Sequence, residues 1–435
     1  MNDLVSTDCV PAVERPAPEA ARFHRVPSVL VSLARRIVLS RLRRLQRGTI
    51  ILIEGQRQTV FGEPSAVSTI KATITILVPV CYVDIAWSGT VGAGGSYARG
   101  DWSCDDLTAL IRIFAWNRPL VDGMERGAAR LSAPFRTLQH RLRRNTKAGS
   151  RRNIAAHYDL SNEFFAHMLD RTMMYSCAYF LRPNSTLEEA SRAKLDVICR
   201  KLHLTETDHL VEIGSGWGGL ACHAAATYGC RVTTTTISHA QYEAAIRRVH
   251  EAGLSDRVRV LLTDYRDLPS FGVRFDKLVS VEMIEAVGHE YYATFFETCS
   301  RLLKPDGLML LQAITIDERY YERAKRSVDF IQRYIFPGSC IPSVTALCRA
   351  MAQASDLSLL HLQDIGAHYP PTLRGWRENL QANMEHVRRL GFRSEFLRLW
   401  EFYLAYCEGG FLERSISTAH LLFAKSGWRQ DPLAG

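Results

Sequence analysis

No two of the eleven cysteines form a CxxC pair or stand at metal-ligand spacing, which argues against a zinc site or a disulfide framework. No metal is expected. An apolar run long enough to span a bilayer is also missing. The closest stretch, Ile74 to Trp87, is broken by Pro79 and Asp84. The start, Met1 to Cys9, is polar and lacks a basic-then-apolar signal pattern. Together these absences point to a reducing cytoplasm, with membrane contact only peripheral, on the inner face. Internal repeats and low-complexity tracts are absent too. The formal charge of +9 implies attraction to anionic surfaces, and by itself does not choose between nucleic acid and lipid head groups.

At 435 residues the chain exceeds the usual size of a single core, so two domains are expected. Residues 1–22, with Pro11, Pro16 and Pro18 among small and charged residues, read as a disordered tail. Residues 23–135 read as a small amino-terminal α+β domain associated with lipid. It opens with a basic amphipathic helix, Val26 to Arg47. There Leu30, Leu33, Ile37, Leu42 and Leu45 recur among Arg35, Arg36, Arg41, Arg43, Arg44 and Arg47. Such a helix either lies on an anionic bilayer or packs on a core with a solvated basic face. Strand-like runs TIILIE, QTVF and STIKATITILV follow, Gly92-Ala93-Gly94-Gly95 reads as a loop, and DDLTALIRIFAWN resumes a helical period. A basic linker is expected over 136–152, and a catalytic domain over 153–435.

From about Ser191 strands and helices alternate as in a doubly wound α/β sheet. HLVEI, RVTTTTI, VRVLL, FDKLVSVEMI and LMLLQAITI are the strands. The first ends in Val211-Glu212-Ile213-Gly214-Ser215-Gly216-Trp217-Gly218-Gly219, and a helix begins at once. Lacking a Cβ, Gly214 and Gly216 permit positive φ and let a ligand approach the backbone at the sheet's carboxyl edge. A dinucleotide enzyme would carry an acid at the end of the second strand. Here that strand ends Thr235-Thr236-Ile237-Ser238-His239-Ala240-Gln241, with hydroxyls and an amide instead. After the third strand comes Thr263-Asp264-Tyr265-Arg266-Asp267, whose carboxylate and ring suit the amino group and face of adenine.

Longer motifs surround this cradle. Asn153-Ile154-Ala155-Ala156-His157-Tyr158-Asp159-Leu160-Ser161-Asn162-Glu163-Phe164-Phe165 leads to Met174-Tyr175-Ser176-Cys177-Ala178-Tyr179-Phe180. Later come Tyr334-Ile335-Phe336-Pro337-Gly338, Cys340-Ile341-Pro342-Ser343 and Gly366-Ala367-His368-Tyr369. In this order, from about Asn153 to Lys425, they resemble the cyclopropane-fatty-acyl-phospholipid synthases and mycolic acid cyclopropane synthases. Arg47 to Asn117, with Gly100-Asp101-Trp102, resembles the amino-terminal domain of the longer bacterial members.

That resemblance implies a Rossmann-like seven-stranded methyltransferase sheet with inserted covering helices from about Tyr320 to Trp376. It implies transfer of the methyl group, net a methylene, of S-adenosylmethionine to the cis double bond of an unsaturated acyl chain in a membrane phospholipid, forming a cyclopropane fatty acid. The partner is then an unsaturated phospholipid at an anionic membrane surface rather than nucleic acid, and a homodimer is compatible with it. The cofactors implied are S-adenosylmethionine and a bound bicarbonate that acts as base. Carried over by motif, the anion's ligands are Cys177, Glu285, the histidine position, which holds Gln312, the backbone of Ile314, and Tyr369. Tyr175 and Ser176 go to the methionine end of the cofactor, Gly214 and Gly216 to its cradle, Thr236 and Gln241 to the ribose, and Tyr265 and Arg266 to adenine.

Two positions depart from the family pattern. Gln312 can donate a hydrogen bond to an anion but cannot take up a proton at neutral pH. Glu282 stands where many members carry glycine, placed to meet the cofactor's ammonium or ribose, or to cap the strand end. Each assignment has a plainer rival: Cys177 as an apolar filler, Glu285 as a solvated helix-start carboxylate, Tyr369 as a turn anchor before Pro370-Pro371. His157 and Tyr158 read as orienting residues and His289 as a helix entry. The aromatic residues of Leu397 to Phe411 read as core or as tunnel wall. The rival functions are a methyltransferase that leaves a methyl branch on lipid, one acting on a small metabolite, and a lipid-binding protein without chemistry.

Overall fold

The computed structural model describes residues 26–62, 69–118 and 161–429. The 1–22 tail, the 136–152 linker, His157 and Tyr158 lie outside them.

The first unit opens on helix α1 (Ser28–Leu42), followed by β1 (Thr49–Glu54), β2 (Arg57–Phe61) and β3 (Lys71–Ile76). Helix α2 (Cys81–Arg99), β4 (Trp102–Cys104) and α3 (Leu107–Trp116) complete it. The strands form a four-stranded sheet of order β2-β1-β3-β4, in which β1 and β3 run parallel. Their β-branched residues suit a half-buried pleated surface. Helix α1 buries Ala34, Val38, Leu39 and Leu42, whereas Val29, Leu30 and Leu33 are exposed beside Arg36, Arg43 and Arg44.

One expectation fails here. Gly92 to Gly95 lie inside α2, not in a loop, and the helix is kinked at Gly89, where φ is +56°. The glycines serve close packing: a Cβ on Gly94 would fall 2.3 Å from the Phe330 ring, and one on Gly95 2.5 Å from the Tyr334 hydroxyl.

The second unit begins with α4 (Asn162–Met168) and α5 (Leu187–Lys201). Its strands are β5 (His209–Ile213), β6 (Arg231–Thr236), β7 (Val258–Leu262), β8 (Phe275–Val281), β9 (Leu303–Ile316), β10 (Ser358–Asp364) and β11 (Ile416–Ala424). Between them run α6 (Gly219–Tyr228), α7 (His239–Glu251), α8 (Tyr292–Leu302), α9 (Glu318–Ala324), α10 (Phe330–Tyr334), α11 (Val344–Ala354), α12 (Tyr369–Ala382), α13 (Met384–Arg389) and α14 (Ser394–Leu412). The sheet order is β10-β11-β9-β8-β5-β6-β7. Strands β9 through β7 are parallel neighbours, and β11 and β10 are antiparallel additions. The parallel strands read as near-continuous apolar or β-branched runs because helices cover both faces. Chain order reverses between β8 and β5, where a doubly wound sheet opens its crevice at the strands' carboxyl ends.

The two units share one apolar core. Ala34, Ile50, Leu52 and Tyr82 of the first pack in the same cluster as Phe330, Trp376, Trp400 and Phe402 of the covering helices. Among the described residues no helix is long and apolar enough to cross a membrane.

Candidate active site

The glycine turn follows β5 as the pattern predicts, with φ of +96° at Gly214 and +49° at Gly216. A Cβ built on Gly216 meets nothing within 4 Å, so this turn faces open space. At the end of β6 the Thr236 hydroxyl donates to Gln241 Oε1 (3.0 Å) and accepts from the Ser238 amide (3.1 Å), which fixes both side chains beside the turn. After β7, Asp264 holds the backbone and guanidinium of Arg266, while the Tyr265 ring packs edge-on against Phe295. On the other side of the turn the Tyr175 hydroxyl meets that of Tyr403 at 2.9 Å, and Lys194 donates to Ser176 Oγ at 2.8 Å. Burial pushes this lysine's pKa down to about 8. An open glycine cradle flanked by fixed hydroxyl and amide groups fits S-adenosylmethionine.

Beside it the expected anion ligands come together as two groups: Cys177, Gln312 and Tyr369 around Glu282, and Ile314 with Glu285. Glu282 leaves β8 in the left-handed region, with φ of +48°, a conformation that costs a non-glycine residue roughly 1–2 kcal/mol. Its Oε1 accepts from the Cys177 backbone amide (3.0 Å) and from Gln312 Nε2 (2.8 Å), and its Oε2 accepts from the Tyr369 hydroxyl (2.8 Å). Beyond the cofactor contact or strand cap that its sequence position suggests, Glu282 gathers three protein donors. The Cys177 thiol lies fully buried against the carbonyls of Ala178 and Ile365, and burial holds its pKa well above the usual thiol value. Its backbone N–H and carbonyl, not its thiol, face the cluster.

Glu285 sits in a 3-10 turn just beyond β8 and is buried, not a solvated helix-start acid. Its Oε1 accepts from the Ile314 amide at 2.5 Å, while its Oε2 is buried with no hydrogen-bond partner. Burial, helped by the neighbouring Glu282 charge, lifts its pKa to about 8, so it carries a proton at neutral pH. The donors expected for bicarbonate are thus all satisfied by protein carboxylates: three by Glu282 and one by Glu285. The residues present do not fit a bound bicarbonate.

Gln312 has a second role that its sequence position does not reveal. It pairs across strands with His420 of β11, and its Oε1 lies 3.0 Å from His420 Nε2. Because the Gln312 amide nitrogen faces only acceptors, Glu282 and the Cys177 carbonyl, its oxygen must accept, and His420 Nε2 must carry the proton. His420 Nδ1 then accepts from Lys201 Nζ at 3.0 Å. Burial and the nearby lysines keep this histidine neutral, its pKa well below the ordinary value. Lys194, Lys201 and His420 carried no signal in the sequence, since none belongs to a motif.

Glu282, Glu285, Ile314, Tyr175 and Tyr369 line one end of a cavity of about 440 Å³. Cys177 and Gln312 stand behind this wall. The rest of the lining is mostly apolar: Val38 and Leu42 of α1, Ile74 and Ile76 of β3, Phe336, Phe402, Tyr406 and Phe411. The aromatic residues of α14 therefore serve as core and as cavity wall at once. Arg118 and Arg323 also reach the wall.

Residues 145–421 match the family model of mycolic acid cyclopropane synthetase. The chain belongs to this family. It is 37% identical over 331 residues to the tuberculostearic acid methyltransferase of Mycobacterium tuberculosis, covering 74% of this chain and 76% of that protein. It is 36% identical over 360 residues to the cyclopropane-fatty-acyl-phospholipid synthase of Escherichia coli K12, covering 81% and 88%. Among solved structures, a mycolic acid cyclopropane synthase complexed with SAH and CTAB superposes with a TM-score of 0.57 at 34% identity. That match covers 63% of this chain and 98% of the other. The chain is accordingly an S-adenosylmethionine-dependent methyltransferase of the cyclopropane synthase family, with the Rossmann-like sheet that family implies.

Proposed function

We propose that this enzyme alkylates the cis double bond of an unsaturated acyl chain in a membrane phospholipid, forming a cyclopropane fatty acid. The observation that carries the reading is the apolar cavity that ends at Glu282, Glu285, Ile314 and Tyr369. Its volume is that of a ligand site, and its lining includes Tyr175, assigned to the methionine end of the cofactor, beside Glu282 and Glu285. S-adenosylmethionine supplies an electrophilic methyl group on a cationic sulfur. Gly214, Gly216, Thr236 and Gln241 hold it, with Tyr175 and Ser176 at its methionine end and Tyr265 and Arg266 toward adenine.

An alkene is a weak nucleophile, so the chain's contribution is orientation in a dry site. The apolar walls exclude water and direct the double bond toward the cradle. Methylation leaves a carbocation, which the faces of Tyr175, Tyr403 and Phe336 stabilise. Lys194, placed behind Ser176, fixes the backbone that delivers the Cys177 amide. No step runs through bicarbonate, because its donors are already satisfied.

The phospholipid assignment is supported by Arg118 and Arg323 at the cavity wall, suited to a phosphate. Peripheral docking is supported by α1. It turns Val38 and Leu42 into the cavity and leaves Val29, Leu30 and Leu33 exposed among arginines. A second reading, a methyl-branched product, is favoured by Glu282: a carboxylate fixed by three donors selects which hydrogen is removed. Incubating the protein with S-adenosylmethionine and dioleoylphosphatidylglycerol vesicles tests the proposal. Release of S-adenosylhomocysteine and a lipid one methylene heavier are expected. Release without any change in lipid mass would overturn it, and catalytic hydrogenation of the product distinguishes ring from exomethylene branch.

A further inference from the structure

We propose that Glu282 is the general base of this enzyme, a built-in carboxylate that occupies the anion position and frees the reaction from bicarbonate. The inference rests on the alkylation reading above and deepens it.

Three observations converge. The donors expected to hold an anion, the Cys177 amide, the Gln312 amide and the Tyr369 hydroxyl, all point at the Glu282 carboxylate, at 3.0, 2.8 and 2.8 Å. Glu282 and its donor Tyr369 line the acyl cavity, whereas Cys177 and Gln312 do not, so the carboxylate stands between those two donors and the substrate. The residue is held at a positive φ that glycine would adopt freely, so its side chain, not its backbone, accounts for its presence there. Glu285 does not compete for the role. Burial raises its pKa to about 8, and the hydrogen bond described for its side chain is from Ile314, with Oε2 buried and unpartnered. Burial raises both carboxyl groups, but only Glu282 is opposed in this by three side-chain and backbone donors.

The step balances without any co-reactant. The alkene π pair forms the new bond to the methyl carbon, and the carbon–sulfur pair leaves with the now neutral sulfur. The neighbouring carbon becomes cationic. Glu282 then removes a proton. If the methyl group gives it up directly, the released C–H pair closes the ring; if a hydride first shifts from the methylated carbon to the cationic one, the methyl proton's C–H pair forms the exomethylene branch. Either way the proton ends on Glu282 and is lost to solvent after product leaves. Gln312 cannot accept that proton, so it holds the carboxylate and does not relay.

The test uses the full-length protein with dioleoylphosphatidylglycerol vesicles, in buffer purged of carbon dioxide and in the same buffer with bicarbonate. The wild type should release S-adenosylhomocysteine at the same rate in both. Glu282→Gln, nearly isosteric, should lose about 10²-fold or more in product formation while still binding cofactor. Glu282→Gly opens the donors and should regain product formation only when bicarbonate is added. Carbon-13 NMR of labelled bicarbonate gives a readout independent of turnover: saturable binding to Glu282→Gly and none to the wild type. A wild-type rate that collapses without bicarbonate, or saturable bicarbonate binding by the wild type, would overturn the proposal while leaving the alkylation reading intact. Absence of any S-adenosylhomocysteine from the wild type with lipid would overturn the alkylation reading, and the base with it.

Discussion

Removing the Tyr369 hydroxyl should move the pH dependence of the reaction without disturbing the fold. Tyr369 donates to Glu282 Oε2 at 2.8 Å, and its ring stacks on Phe411 at 4.1 Å and 19° and meets Trp376 edge-on. Tyr369→Phe keeps both ring contacts and deletes only the donor. A hydrogen bond to a charged group is worth about 1.5–3 kcal/mol, so the proton affinity of Glu282 should rise by about tenfold to a hundredfold. The sign follows from burial, which already holds the Glu282 pKa above the usual carboxylate value while the donors oppose it. With one donor gone, the carboxylate forms only at higher pH. Rates of S-adenosylhomocysteine release measured across pH should show the acid limb displaced upward and the two enzymes converging at alkaline pH. A uniform loss at every pH would refute the reasoning, because it would assign Tyr369 to substrate positioning. An unchanged profile would refute it equally.

Three further outcomes follow from other parts of the molecule. Gly216→Val should abolish calorimetric binding of S-adenosylmethionine while the circular dichroism spectrum persists, since it fills the open side of the cradle and strains a backbone with φ of +49°; undiminished affinity in a folded variant removes the site. The buried Glu285 titrates at about 8 in the folded state against about 4.5 unfolded, so its contribution to stability is complete below pH 4.5 and is lost as pH rises to 8. Glu285→Gln should flatten that decline in melting temperature, and an unaltered slope would show that another group causes it. Replacing Val29, Leu30 and Leu33 together by serine should weaken binding to anionic vesicles at least about tenfold, each apolar side chain being worth roughly 1.5–3 kcal/mol when buried. The wild type's binding should also fall with salt, as attraction between exposed charges is screened beyond about 8 Å at physiological ionic strength. Equal sedimentation with neutral and anionic vesicles would count against the docking face.

What could be read in advance depended on how local the determinants are. Strands β5 to β9 announce themselves because each is a short apolar or β-branched run bounded by a turn, and the glycine cradle because its residues are consecutive. Strands β10 and β11 were not identified. SLLHLQD lies at the sheet edge with alternate residues exposed, and ISTAHLLFA carries His420, whose ring is matched by Gln312 across the sheet and by Lys201 of α5. Gly92 to Gly95 misled for the opposite reason. Local propensity favours a loop, but the tertiary contacts of Phe330 and Tyr334 require a helix surface without side chains.

The same locality explains why the two departures from the family pattern looked unrelated. Glu282 and Gln312 are 30 positions apart, and only the parallel pairing of β8 with β9, which sets Val281 opposite Gln312, brings them together. Once paired, each accounts for the other. A carboxylate at 282 fills the anion position and needs a donor that stays neutral. A histidine at 312 could take a proton from solvent and pair with the carboxylate as an imidazolium, lowering its basicity; an amide cannot. Gln312 also presents an oxygen to His420, fixing that ring's tautomer, so the amide cannot turn over without setting its oxygen against Glu282 and its nitrogen against the His420 N–H. The glutamine is therefore the residue that keeps Glu282 charged and aimed. A histidine in its place should be tolerated only where Glu282 has been replaced by glycine and bicarbonate supplied. In the presence of Glu282, Gln312→His should depress turnover most at low pH, where an imidazolium would bind the carboxylate instead of merely orienting it.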